Sequence, residues 1–150
     1  MQLSKYLTLQ DAEKSNVAKR LGINNSLPLE YLENAKKIAS LYDDVYEHFN
    51  SNVRITSFYR SKKLNTVIGG SPTSSHCFGE AIDIEGINGV KNSDILAYCR
   101  TLPLFDQIIN EYPEGIEPNW VHVSVRVNKS NRKQVLRVDK INKKSIYSLI

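Results

Sequence analysis

"SSHCFGEAIDIEG", residues Ser74 to Gly86, decides how this chain is read. Its first half is turn-like, with small residues and a glycine. Its second half alternates as a strand does, with successive side chains on opposite faces. Ile82 and Ile84 share one face and Asp83 points away from them. His76 stands seven positions before Asp83, in the turn that leads into the strand. A second stretch, "WVHVSVRV" from Trp120 to Val127, shows the same arrangement. Val121, Val123 and Val125 take one side; His122, Ser124 and Arg126 take the other. Neighbouring strands would bring Asp83 and His122 together on the polar side, with His76 supplied from the turn. Two neutral imidazoles and one carboxylate are the protein ligands of an open tetrahedral zinc site, whose fourth position is left for water.

Working outward, "NVRITSF" (52–58) is rich in β-formers. "FDQIINE" (105–111) and "KQVLRV" (133–138) read as further strands. "LTLQDAEKSNVAKRLG" (7–22) reads as a first helix, with Thr8 as N-cap and Gly22 as stop. "SLPLEYLENAKKIASLYDDVYEHFN" (26–50) is the clearest helix, begun by Ser26 and Pro28. Its Leu32, Ala35, Ala39, Tyr42, Val45 and Phe49 recur at three- and four-residue steps. His48 on this helix reads as a surface or partly packed histidine. "SKKLNTVIGG" (61–70) is a short helix closed by glycines, and "NSDILAYCRTL" (92–102) is another, capped by Asn92 or Ser93. The pattern predicts one α+β domain over residues 1–150, with helices against one face of a small, mainly antiparallel sheet.

Composition sets the limits. A chain of 150 residues, 41% hydrophobic, can build a core without disulfides. Its formal charge is +4 and its pI near 9.0. That suits an anionic surface, such as a bacterial cell wall or nucleic acid. The basic residues are scattered, with some concentration after Asn128, so a solvated basic face is expected rather than a nucleic-acid groove. Cys77 and Cys99 lack CxxC or zinc-finger spacing and are expected as free thiols. No signal peptide or membrane span is visible. A serine nucleophile at Ser74 or Ser75 would need a GxSxG elbow, which is absent. Cys77 adjoins His76, but adjacent residues point apart and no thiol-nucleophile motif surrounds it.

Taken together, "RITSFYRSKKLNTVIGGSPTSSHCFGEAIDI", "FDQIINE" and "NWVHVSV" resemble peptidase family M15, the zinc D-Ala-D-Ala carboxypeptidases, in the short branch found in phages and prophages. The linked set SxH…GxAxD…WxH carries the resemblance, which covers nearly the whole chain. The same fold and zinc pattern recur in the hedgehog signalling domain. The resemblance implies a hedgehog/DD-peptidase-like fold and one zinc ion per chain, bound by His76, Asp83 and His122. It implies that Arg60 and Ser74 contact the substrate. Arg60 could pair with a peptide carboxylate or polarise its carbonyl; the alternative is an ion pair that fixes its loop. Trp120 is expected beside the site.

Many relatives carry an acid three residues before the last zinc histidine. Here that position is Asn119, which cannot act as a base. Glu111, Glu114 and Glu117 lie near. Glu111 is preferred, because it ends the strand that in the hedgehog-like pattern holds an acid next to zinc, and a strand is a rigid mount. Glu117 is the second choice.

The expected function is hydrolysis of amide bonds in peptidoglycan stem peptides, by a carboxypeptidase or endopeptidase of phage-type wall lysis. The protein is expected to be a monomer with no nucleic-acid partner and no membrane insertion. It would be made in a host cytoplasm and act on the wall after release or from a virion. The rival classes are a catalytically silent, zinc-dependent wall-binding or structural module, and a nucleic-acid-binding domain suggested only by charge.

Overall fold

The computed structural model describes residues 1–150. Helices α1 (Leu9–Glu13), α2 (Asn16–Leu21) and α3 (Leu32–His48) come first, followed by strand β1 (Val53–Ser57) and helix α4 (Lys62–Val67). A 3-10 turn, Ser75–Phe78, leads into β2 (Ala81–Gly86) and then helix α5 (Asn92–Cys99). Four strands complete the chain: β3 (Gln107–Glu111), β4 (Trp120–Ser124), β5 (Gln134–Ile141) and β6 (Lys144–Leu149).

The six strands form one sheet in the order β1-β2-β4-β3-β5-β6. The expectation of a small, mainly antiparallel sheet is corrected here, because the sheet is larger and mixed. β3 and β5 run parallel, while the other neighbours are antiparallel. Parallel pairing requires a crossover, and the chain makes it through β4 and the loop that follows. β6 is a strand beyond those the sequence predicts. It returns along β5 through a tight turn at Asn142 and Lys143, both left-handed at φ 50° and 65°.

One face of the sheet carries the core. Ile82, Ile84, Ile108, Val121 and Val123 pack with Ala35, Ile38, Ala39, Tyr42 and Val45 of α3 and with Ile95, Leu96 and Cys99 of α5. The expected apolar stripe of α3 is therefore the buried one. Leu32 and Phe49, at its ends, are partly buried against the same core.

Local signals shift three helix boundaries. The first predicted helix is two: Lys14 is extended, and Ser15 caps α2 by accepting from the Ala18 amide. Pro28 opens a 3-10 turn, Leu29–Tyr31, before α3 begins. Neither Asn92 nor Ser93 is the N-cap of α5; Lys91 holds that place. The Asn92 side chain is engaged elsewhere. Its Oδ1 accepts from the Gly86 amide at 2.7 Å, and its Nδ2 donates to the Pro118 and Asn119 carbonyls at 3.0 Å each. Asn92 thus ties the end of β2 to the approach to β4. Asn92→Ala leaves these half-buried groups unpaired, so a loss of about 1–3 kcal/mol is expected, read as a lower urea midpoint at unchanged m-value.

Candidate metal centre

The sheet face opposite the core carries the polar residues. Asp83 on β2 lies directly opposite His122 on β4, and His122 lies opposite Ile109 on β3. Two residues along β3, Glu111 lies opposite Trp120. Residues paired across a sheet share a face, so Asp83, His122, Glu111 and Trp120 all look out from the same side.

His76 comes from the 3-10 turn. Ser74 caps that turn, its hydroxyl accepting from the His76 amide at 3.4 Å. Gly79 ends it in the left-handed region at φ 67°, and this turns the chain into β2. The turn is anchored over the sheet, since its His76 carbonyl accepts from the Arg60 amide at 3.1 Å.

The three ligand candidates converge. One donor atom from each of His76, Asp83 and His122 lies within 4.8 Å of the others, and all three residues are buried. Asp83 Oδ1 is 3.2 Å from His76 Nε2 and 3.0 Å from His122 Nδ1. His76 Nδ1 sits 2.6 Å from the Phe58 carbonyl, which can only accept. The proton is thereby fixed on Nδ1, and the Nε2 lone pair is free for a metal. Burial pushes the His76 pKa down, which favours the neutral, ligating form. Burial alone would raise the Asp83 pKa, but the two imidazoles packed against the carboxylate, those of His76 and His122, outweigh it and hold the carboxyl below its usual range. The donor set, its burial and the fixed tautomer fit a zinc ion with three protein ligands.

Arg60 is fixed behind the aspartate. Its Nε donates to Ser57 Oγ at 3.1 Å, Nη1 to Asn65 Oδ1 at 3.1 Å and Nη2 to Asp83 Oδ2 at 3.4 Å. Asn65 is itself held by the Ser71 carbonyl at 2.8 Å. The guanidinium therefore supports a ligand as well as bordering the site. Arg60→Ala should weaken zinc binding by on the order of 10–100-fold in chelator competition, as loss of a ligand's hydrogen-bond partner does. Arg60→Lys keeps the charge without the planar fork and should recover only part of that affinity.

The acids separate clearly. Glu111 is 9% exposed, and its pKa is pushed up to about 7. Burial is the main cause; the Asp83 carboxylate adds to it, while the His122 ring and Arg60 oppose it. Glu117 lies elsewhere: its Oε1 accepts from the Ser93 amide at 3.2 Å, at the start of α5. Slight burial would raise its pKa, but hydrogen bonds from Ser93 and Asn92 outweigh this and lower it. Glu114 is exposed in the same loop. Trp120 is half-buried beside Glu111, 5.6 Å between ring centroids from Tyr112. Tyr112 and Tyr147 belong to no motif in the sequence, yet Tyr112 packs against Trp120 and Tyr147 continues the row of Glu111 across β5.

Elsewhere, Cys77 and Cys99 are buried free thiols. His48 stacks on Tyr98 with centroids 3.7 Å apart, a packed histidine away from the metal centre. No helix is long and apolar enough to cross a membrane.

Two buried imidazoles and a carboxylate, with a buried acid on the same sheet face, form a group that could hold a metal ion beside a titratable carboxyl. The chain belongs to the peptidase M15 family, whose family model matches residues 5–124. That family consists of zinc metallopeptidases, and His76, Asp83 and His122 are the candidate metal site here. No curated protein matches the chain.

Proposed function

We propose that this protein is a zinc peptidase that hydrolyses amide bonds in peptidoglycan stem peptides. The observation that carries this reading is the placement of Glu111. A buried carboxyl of raised pKa shares the sheet face with Asp83 and His122, where a base is needed and where structure alone gives no reason for one.

His76, Asp83 and His122 would hold a zinc ion, which would supply the Lewis acidity for activating water and polarising a carbonyl. The protein's own groups do the rest. Glu111 accepts a proton from the attacking water, whose oxygen bonds to the carbonyl carbon. The Arg60 guanidinium favours the negative charge that develops on the carbonyl oxygen. Glu111 then delivers its proton to the departing nitrogen as the C–N bond breaks, leaving a carboxylate and an amine. A pKa near 7 suits a group that must take up and release a proton in one cycle. Ser74, which caps the His76 turn, and Trp120, paired with Glu111 on β4, are the further side chains assigned to substrate contact in this reading.

The basic chain, with its pI near 9.0, suits the anionic wall. Phage-type lysis, after release from the host cytoplasm or from a virion, is the setting proposed. The test is mass spectrometry of purified muropeptides after incubation with zinc-loaded protein. New fragments that differ by hydrolysis of a stem-peptide amide are expected, and their masses identify the bond. Unchanged muropeptides, together with tight binding to intact walls, would instead establish a silent wall-binding module.

A further inference from the structure

The β5–β6 hairpin takes no part in the metal centre and lies beyond the residues matched by the family. Its register nevertheless extends the site face outward. Ile109, paired with His122, continues to Leu136 on β5 and Leu149 on β6. Glu111, paired with Trp120, continues to Val138 and Tyr147. Val138 and Ile109 are buried and stand apart from the main core, on the opposite side of the sheet. Above them Leu136 is half-buried, while Tyr147 and Leu149 are 54% and 71% exposed. The result is an apolar shelf that begins at the catalytic acid and runs to the sheet edge. Val138 alone separates Glu111 from Tyr147 in this row.

The orientation of a substrate follows from the two groups that flank the metal ligands. Arg60 approaches Asp83 from the β1 side, and Glu111 stands on the β3 side. A scissile amide served by both turns its carbonyl oxygen towards Arg60 and its nitrogen towards Glu111. The residue attached to that nitrogen must then continue over β3, β5 and β6.

We infer that Leu136, Tyr147 and Leu149 form the subsite for the leaving-group residue of the peptide, and that this subsite selects an aliphatic side chain. The inference rests on the peptidase reading, with Glu111 as the group that protonates the leaving amine. The apolar occupant follows from continuity: the shelf is the direct extension of the catalytic row and carries no charged side chain between Glu111 and Tyr147.

The test uses full-length, zinc-loaded protein and synthetic peptides that differ only in the leaving residue: glycine, or alanine and leucine in each chirality. Wild type should prefer a leucine over a glycine leaving group by about tenfold or more in kcat/KM, the scale of an added aliphatic contact. Tyr147→Ala and Leu149→Ser should compress that ratio to within a few-fold. Ile146→Ser, on the opposite face of the same strand, should keep it. A second readout is independent of turnover. D- or L-leucinamide, the amine-side product analogue, should shift amide NMR signals at 136, 147 and 149, and glycinamide should not. A leaving-group preference unchanged in Tyr147→Ala and Leu149→Ser, with leucinamide shifts elsewhere, would overturn the subsite and leave the peptidase standing. Absence of turnover by wild type on every peptide would overturn the peptidase reading and this inference with it.

Discussion

Asp83→Ala should abolish both zinc retention and turnover. Asp83 is the hub of the centre: its Oδ1 faces both histidines, and its Oδ2 faces Arg60. Removing it leaves two imidazoles without the charge that balances a divalent ion, and it leaves the half-buried Arg60 without its anionic partner. Zinc measured by atomic absorption should fall from about one per chain to near zero after dialysis. Turnover should become undetectable. Wild type should gain melting temperature with added zinc, since a ligand bound only by the folded state stabilises it, and Asp83→Ala should lose that gain. Full zinc occupancy in the His76→Ala, Asp83→Ala double variant would end the assignment.

Glu111→Gln should separate chemistry from metal binding. Glutamine is nearly isosteric but cannot accept a proton at neutral pH. Zinc content should stay near one per chain, while turnover falls by ~10²–10⁴, the range for loss of a general acid–base group. Glu114→Gln and Glu117→Gln are the controls, one exposed and the other serving the start of α5. A normal rate in Glu111→Gln with a collapsed rate in Glu117→Gln would move the role to Glu117. The same substitution has a thermodynamic signature in metal-free protein. The Glu111 pKa is raised in the folded state, so between pH ~4.5 and ~7 the folded chain holds a proton that the unfolded chain has lost. Stability therefore falls as pH rises through that window, by on the order of 3 kcal/mol at about 1.4 kcal/mol per unit. Glu111→Gln removes the penalty. Without metal, it should be more stable than wild type at pH 8 and equal to it at pH 4. Equal stability at both pH values would show that Glu111 is not buried as described.

Much of this centre was legible because strand alternation needs no tertiary information. Once "EAIDIEG" and "WVHVSVRV" are read with their isoleucines and valines inward, Asp83 and His122 must face the other way. Alternation does not say which strands are neighbours; the β2–β4 register supplies that. Glu111 was reachable by the same parity, since it ends a strand whose Ile108 faces the core. The support of Asp83 by Arg60 was only half legible. The residue stood out, but its bonds to Ser57 and Asn65 depend on how β1 meets α4.

Other features had no local signal. β6, "KSIYSL", is exposed along its whole length, so no buried alternation marks it. Its turn places a lysine, not a glycine, at the second left-handed position, and the usual hairpin dipeptide is missing. The parallel β3–β5 pair joins strands separated by β4, which periodicity cannot reveal. Asn92 was a plausible cap by type, but its amide is drawn to Gly86 and to the carbonyls before β4. A long-range demand outbid the local one.

The most direct measurement is anomalous diffraction at the zinc edge from crystals of the zinc-loaded protein. One peak is predicted, at bonding distance from His76 Nε2, an Asp83 carboxylate oxygen and His122 Nδ1, with Glu111 and Arg60 on either side. A zinc peak bound by other residues, or no peak between His76, Asp83 and His122 in crystals that contain zinc, would contradict the account.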